Sequence, residues 1–414
     1  EYQLREHIRF NSEVESAQFD ETTGLWQIAT TGPNGPQTVE ANAIISAVGQ
    51  LNRPSIPDIR GQESFSGPCW HSAEWRHDVD LSGKRVGVIG TGGSAFQFVP
   101  IIADQAASVE VFQRTAPWIV PNQDYFQDVP SGKHWLLRHV PFYAKWFRFN
   151  MFWSAAEGLL QAVAGEEGWD RPEESVSEKN QQFRDSLIAN LQATLEGRPD
   201  LIEKCTPDYP PGAKRALIDD GKYLRTLLRE NVDLITEEIE QITGNGIRTD
   251  DGVDHEFDVL IYGTGFKASS FLHPMKIYGL EGRELHDVWQ DEPRAFKGVS
   301  IPGFPNLFCT YGPNTNIVVN GSIIFFSECE VRYILGCLGM LMQSNSKALD
   351  VKRDVHDRYN EWIDNGNAGM AWGQSNVSTW YKNASGHITQ NWPFTLLEFW
   401  QQTRAPAPDD YHLI

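Results

Sequence analysis

An α/β fold is predicted by three features of this 414-residue chain. First, a short apolar run at 84–89 closes on the turn Gly90-Thr91-Gly92-Gly93-Ser94-Ala95, and an apolar helical pattern follows. Strand, glycine turn and helix in that order open a Rossmann-like unit. Second, apolar runs at 43–48 and 257–262 also close on small residues, Gly49 and Gly263-Thr264-Gly265. Third, residues 128–205 carry helical patterning without a strand rhythm. The expectation is two Rossmann-like dinucleotide-binding domains, one of them with a helical insertion.

The elements follow in order. Residues 14–19 and 25–28 alternate around Thr23-Gly24, which predicts a hairpin. The run at 43–48 reads as a buried strand. Pro54, Pro57 and Gly61 mark a first crossing between domains, and residues 255–267 a second. Residues 1–62 and 259–414 then form one body. Residues 63–258 form the other, with the helical insert at about 128–205 and a return to strand at 231–235. The first body calls for its own opening βαβ unit of about 30 residues. Residues 1–62 hold no second glycine fingerprint, so that domain is expected to be incomplete at its N-terminus.

Composition excludes several functions. The net charge is 35 − 55 = −20, which argues against nucleic-acid binding. The five cysteines are odd in number and form no C-x-x-C pair, which fits reduced thiols in a cytoplasmic protein. No run reaches 18 uncharged apolar residues, so no membrane span is expected. The nearest approach, 135–164, is aromatic-rich but broken by Arg138, Lys145, Arg148 and Glu157. It reads as a buried or domain-contacting helix pair, with a membrane-surface helix as the alternative. The 11 histidines lack metal-ligand spacing, and no G-x-S-x-G is present.

The glycine turn predicts a pyrophosphate site. Gly90 permits the tight turn, Gly92 lets backbone approach the anion, and Ala95 lets the helix lie on its strand. The next strand, at 108–112, decides which dinucleotide. A carboxylate at its end would hold ribose hydroxyls. Glu110 instead lies inside the alternation, and Gln113-Arg114-Thr115 follows. A guanidinium there suits a 2′-phosphate, so NADPH is expected over NADH, held by Arg114 and Thr115.

One further motif precedes the turn: Phe65, Gly67, His71 and Trp75 in the spacing F-x-G-x-x-x-H-x-x-x-W. With it stand Gln113-Arg114-Thr115, Pro207-Asp208-Tyr209-Pro210-Pro211-Gly212-Ala213-Lys214-Arg215, Gly263-Thr264-Gly265-Phe266, Tyr311 to Asn316, and Ser378-Thr379-Trp380-Tyr381. In this order they resemble the type I Baeyer–Villiger monooxygenases of the flavin-containing monooxygenase group. Arg76 stands where that signature usually ends in Pro or Asp. The segment from Tyr381 to Pro393 looks most like the 4-hydroxyacetophenone monooxygenase branch.

The resemblance implies FAD and NADPH as cofactors, a small-molecule ketone and O₂ as substrates, and an ester or lactone as product. It implies that Arg215 stabilises a flavin peroxide and that Lys214 helps bind the 2′-phosphate. Gly263, Thr264, Gly265 and Asn314 are placed near the flavin, and Trp380 at cofactor and substrate. His71 is placed at the linker as a structural residue rather than a base. A homodimer is implied by the branch. Two competing readings are an N- or S-oxygenating flavin monooxygenase and a catalytically incomplete nucleotide-binding fragment, which would hold FAD poorly.

Overall fold

The computed structural model describes residues 2–156, 159–171, 173–319, 321–375 and 377–414. It divides into two compact units. One comprises Arg53–Lys267 and Gly369–Thr379; the other comprises Glu1–Asn52, Ala268–Ala368 and Trp380–Ile414.

The first unit is built on five parallel strands: β1 (Cys69–His71), β2 (Arg85–Ile89), β3 (Ser108–Phe112), β4 (Val232–Ile235) and β5 (Val259–Tyr262), in the order β4-β3-β2-β5-β1. Alternation explains the layering. Val86, Val88, Val109, Val111, Val259 and Ile261 enter one core, together with Ala95, Phe96 and Val99 of helix α1 (Gly93–Ile102). Ile89, Phe112, Leu260 and Tyr262 enter a second core with Ile242 and Ile247, from a three-stranded antiparallel sheet. Each face of the parallel sheet is therefore covered, as such sheets require.

The helical insertion includes α2 (Ser131–His139), α3 (Tyr143–Ala156) and α4 (Glu178–Thr194). Ser177 caps α4, accepting from the Asn180 N–H at 3.2 Å. The aromatic segment is not buried as expected. Trp135, Trp146 and Trp153 are 57%, 64% and 60% exposed, while Tyr143 and Phe147 are half-buried. Glu157 lies outside the described residues.

The second unit carries a four-stranded sheet in the order Lys276–Tyr278, Glu13–Asp20, Leu25–Gly32, Gly35–Ala41. The expected hairpin forms its centre, with Gly24 at φ +73° in the turn. Trp26 is fully buried, and its Nε1–H donates to the Pro305 carbonyl at 2.9 Å. The run at 43–48 departs from expectation. Only Ile44–Ser46 is strand, paired on one side with Leu307–Cys309, and Ile45 and Val48 are exposed. The long helix α5 (Ile323–Ser344) buries a stripe of Phe326, Cys329, Glu330, Tyr333, Ile334 and Cys337.

The domain limits also differ from those read in the sequence. The crossings fall at 52/53 and 267/268 rather than 62/63 and 258/259. The run at 257–262 belongs to the same sheet as the glycine turn, because β5 is hydrogen-bonded between β1 and β2. The two connecting segments pair with each other: Ser55 N–H donates to Gly265 O and Lys267 N–H to Arg53 O, both at 2.9 Å. Residues 369–379 return to the first unit, where Gly165 N–H donates to Gly369 O and Ala371 N–H to Val163 O, both at 2.8 Å.

Candidate functional site

The glycine turn joins β2 to α1. Gly90 has φ +103° and donates to Phe112 O at 2.9 Å. A Cβ on Gly90 would come within 2.7 Å of the Gly263 carbonyl oxygen, so only glycine fits. Gly92 and Gly93 differ. Both are exposed, and a Cβ on either would meet nothing closer than 3.7 Å. Protein packing does not demand these glycines. Their missing side chains instead leave the first turn of α1 open, and no side chain caps its N–H groups. Thr91 is buried, and its hydroxyl donates to Thr115 O at 3.4 Å, while Ser94 is half-buried at the helix start. Ala95 is fully buried; a Cβ on Gly263 would lie 2.9 Å from its own. The close approach of α1 to the end of β5 thus needs small residues on both sides.

The loop after β3 meets the loop before Arg215. Tyr209 is buried, and its hydroxyl donates to Ala116 O at 2.8 Å. Trp118 Nε1–H donates back to Tyr209 O at 2.9 Å. Asn180, fully buried on α4, donates through Nδ2 to Pro211 O at 3.0 Å and Ala162 O at 2.6 Å. Gly212 follows at φ +90°, where a Cβ would stand 2.4 Å from Val163 Cγ1. This bracing places Lys214 with its Nζ 5.3 Å from the Tyr209 ring centroid. Burial pushes the Lys214 ammonium down to about 8; the positive charge of Arg114 acts the same way, and Asp208 opposes it. Two cations separated by 100 positions in the chain therefore share one field. Arg114 is exposed and Thr115 half-buried. Arg215, next to Lys214, is exposed and precedes the short strand Leu217–Asp219. Glu110 is occupied elsewhere: its Oε2 lies 2.6 Å from His255 Nδ1. The carboxylate that could have served a ribose is thus held by a neighbouring sheet.

The F-x-G-x-x-x-H-x-x-x-W motif is a brace around β1. Phe65 packs on one core and Trp75 on the other, where Trp75 meets Phe98 at 5.2 Å between ring centroids. A Cβ on Gly67 would lie 2.6 Å from Asp258 O. His71, 1% exposed, ends β1 and meets the Phe266 ring edge-on at 5.6 Å. Its Nδ1 accepts from Ala73 N–H at 3.1 Å, and burial lowers its pKa, with Gly265 and Glu74 opposing. A neutral, capping histidine fits a structural role at the crossing. Thr264 closes the same crossing, donating to Ser55 O at 2.5 Å, beside Gly265 at φ +80°.

In the second unit, Asn314 is buried at φ +58° with its amide donating to Ile388 O at 3.0 Å and Asn391 O at 3.3 Å. Its side-chain donors are spent on backbone. Trp380 is half-buried, its ring 4.7 Å from that of fully buried Tyr381. Sequence reading missed Asn180 and Glu330 and gave Tyr209, within the motif ending at Arg215, no role of its own. Glu330 is fully buried on α5; its Oε2 accepts from Tyr311 N–H at 3.0 Å, and burial pushes it up to about 7. The apolar spacing 326, 329, 333, 334, 337 placed position 330 on the inward stripe, which was the available signal.

Comparison with known proteins agrees with this arrangement. The flavin-binding monooxygenase-like family matches residues 1–130. An uncharacterized monooxygenase of Sinorhizobium fredii is 34% identical over 99% of this chain, which spans 62% of that protein. A Baeyer–Villiger monooxygenase of Pseudomonas aeruginosa is 34% identical over 100% of the chain, which spans 75% of its length. Among solved structures, the OTEMO complex with FAD and NADP superposes with a TM-score of 0.83 at 25% identity, covering 100% of this chain and 82% of that one. Oxidized steroid monooxygenase bound to NADP gives 0.80 at 26% identity, with the same coverage. The strand–turn–helix unit, the braced lysine loop and these relatives converge on one assignment: the chain belongs to the Baeyer–Villiger monooxygenase family.

Proposed function

We propose that the protein carrying this chain is an NADPH-dependent flavin monooxygenase that inserts one oxygen atom beside a ketone carbonyl. The observation that carries the reading is the meeting of Lys214 and Arg114 by the open turn of α1, in a chain of net charge −20. When bound, FAD supplies the oxygen-activating redox chemistry and NADPH its electrons.

The residues divide the work. Gly90, Gly92 and Gly93 leave room for a pyrophosphate at the start of α1, whose N–H groups and dipole favour an anion. Arg114, Thr115 and Lys214 hold the 2′-phosphate, and the engagement of Glu110 by His255 removes the competitor that would favour NADH. Arg215 is the permanent cation that stabilises developing negative charge during oxygen transfer. Gly263, Thr264, Gly265, Asn314 and Trp380 line the cofactors, and His71 stiffens the crossing. A homodimer, a cytoplasmic setting and a place in the 4-hydroxyacetophenone branch belong to the same proposal. All five cysteines are free, which supports a reducing compartment.

The test is product analysis with the full-length enzyme, using a methyl ketone and a thioether. Ester from the ketone is expected. Sulfoxide without ester would transfer the protein to heteroatom oxidation. Arg215→Ala should keep NADPH oxidation and lose ester; unchanged ester yield would remove Arg215 from the reaction.

A further inference from the structure

The outer face of α3 is aromatic rather than polar. Phe142, Trp146, Phe149 and Trp153 follow one another at intervals of 4, 3 and 4 residues. Phe142 precedes the helix at φ +63°, and at 3.6 residues per turn Trp146, Phe149 and Trp153 fall within a stripe about 60° wide. They are 69%, 64%, 48% and 60% exposed. The stripe is continuous, with ring centroids 5.7 Å apart for Trp146–Phe149 and 5.9 Å for Phe149–Trp153. Trp135 of α2 adds a further exposed ring. The fold does not use this stripe. Packing of α3 on α2 runs through Phe147, whose ring centroid lies 4.2 Å from Lys133 Nζ. An exposed apolar patch rimmed by polar groups marks an interaction surface.

Charge identifies what it meets. Between positions 129 and 156 there is no Asp or Glu, although 55 of the 414 residues are acidic. The same span carries Lys133, Arg138, Lys145 and Arg148. Lys145 lies beside the stripe, its Nζ 5.7 Å from the Phe142 ring centroid. Exposed aromatic rings with a lysine beside them, on a helix pair free of acidic residues, are the composition of an interfacial helix: rings settle at the headgroup boundary, and lysines reach up to anionic headgroups. A second copy is the poorer occupant. An isologous contact would set this cationic face against itself. Among the described residues no helix is long and apolar enough to cross a membrane.

We propose that the α2–α3 pair docks the protein onto an anionic lipid surface, lying in the plane of the interface with the Phe142–Trp153 stripe inserted. The experiment is co-sedimentation of the intact protein with vesicles of phosphatidylcholine containing about one-third phosphatidylserine, against phosphatidylcholine alone. Binding to the anionic vesicles, weakened by salt, is expected. Lys145→Gln should weaken it about fivefold, the worth of one cation at such a surface. Trp146→Ser with Trp153→Ser should abolish it without moving the thermal midpoint, because both rings are exposed; Phe149→Glu provides an independent variant of the same face. Failure of the wild-type protein to bind anionic vesicles would overturn the proposal. So would wild-type binding by the aromatic variants, or a dimer that those variants dissociate while lipid binding persists.

Discussion

Lys214 shows how one side chain acquires a pH-dependent role from its surroundings. Burial and the charge of Arg114 hold its ammonium down to about 8, so it is charged below that pH and neutral above it. The KM for NADPH should therefore rise as pH climbs past about 8, and Lys214→Arg should flatten that rise, because arginine stays charged. Steady-state kinetics across pH measure both. Lys214→Met should raise the NADPH KM roughly 10- to 100-fold, the worth of one charge-assisted hydrogen bond, and leave the NADH KM nearly unchanged. Glu330 titrates with the opposite consequence for stability. Its folded pKa of about 7 exceeds the ordinary 4.5, so the folded protein binds the extra proton between those values. Its contribution is largest at the acid end and is lost as pH rises through about 7. Glu330→Gln should remove this loss, seen as a smaller fall in thermal midpoint from pH about 5 to about 8 than in the wild type.

At the scale of elements, the lysine loop depends on a helix that touches no cofactor residue in sequence. Asn180 on α4 satisfies the carbonyls of Ala162 and Pro211 from a fully buried position. Asn180→Ala leaves both without that donor and should cost roughly 1–3 kcal/mol of stability. It should also loosen the Gly212–Arg215 turn, giving a higher NADPH KM; denaturant midpoints and kinetics on the same variant test the link. The glycine turn is less forgiving. Gly90→Ala combines a φ of +103° with a 2.7 Å approach to Gly263 O. Nucleotide affinity, read by titration with NADP⁺, should fall below detection before the fold is lost, because strain is concentrated where β2 meets α1.

The whole molecule carries an excess of 20 negative charges. Self-repulsion then opposes compactness, and salt should screen it. The thermal midpoint should rise as ionic strength increases from about 0.01 to about 0.15 M, where the Debye length shortens from about 30 to about 8 Å. The same charge gives the basic aromatic face of α2 and α3 its contrast. Division into two units was legible in outline. Its boundaries were not, because a run such as 257–262 is apolar on both faces and reads alike in either body.

What the sequence determined by itself is local. Strand, glycine turn and helix are announced by the apolar run before Gly90 and by its positive φ, features carried within a few residues of chain. The hairpin around Gly24 and the helices of the insert were readable for the same reason. Tertiary structure decided whatever depends on a neighbour remote in the chain: β5 between β1 and β2, residues 369–379 returning to Val163 and Gly165, and Lys214 brought into the field of Arg114. It also decided that Glu330 is buried and that the Phe142–Trp153 stripe is bare. Periodicity reports that a helix has a face; only packing says what, if anything, covers it.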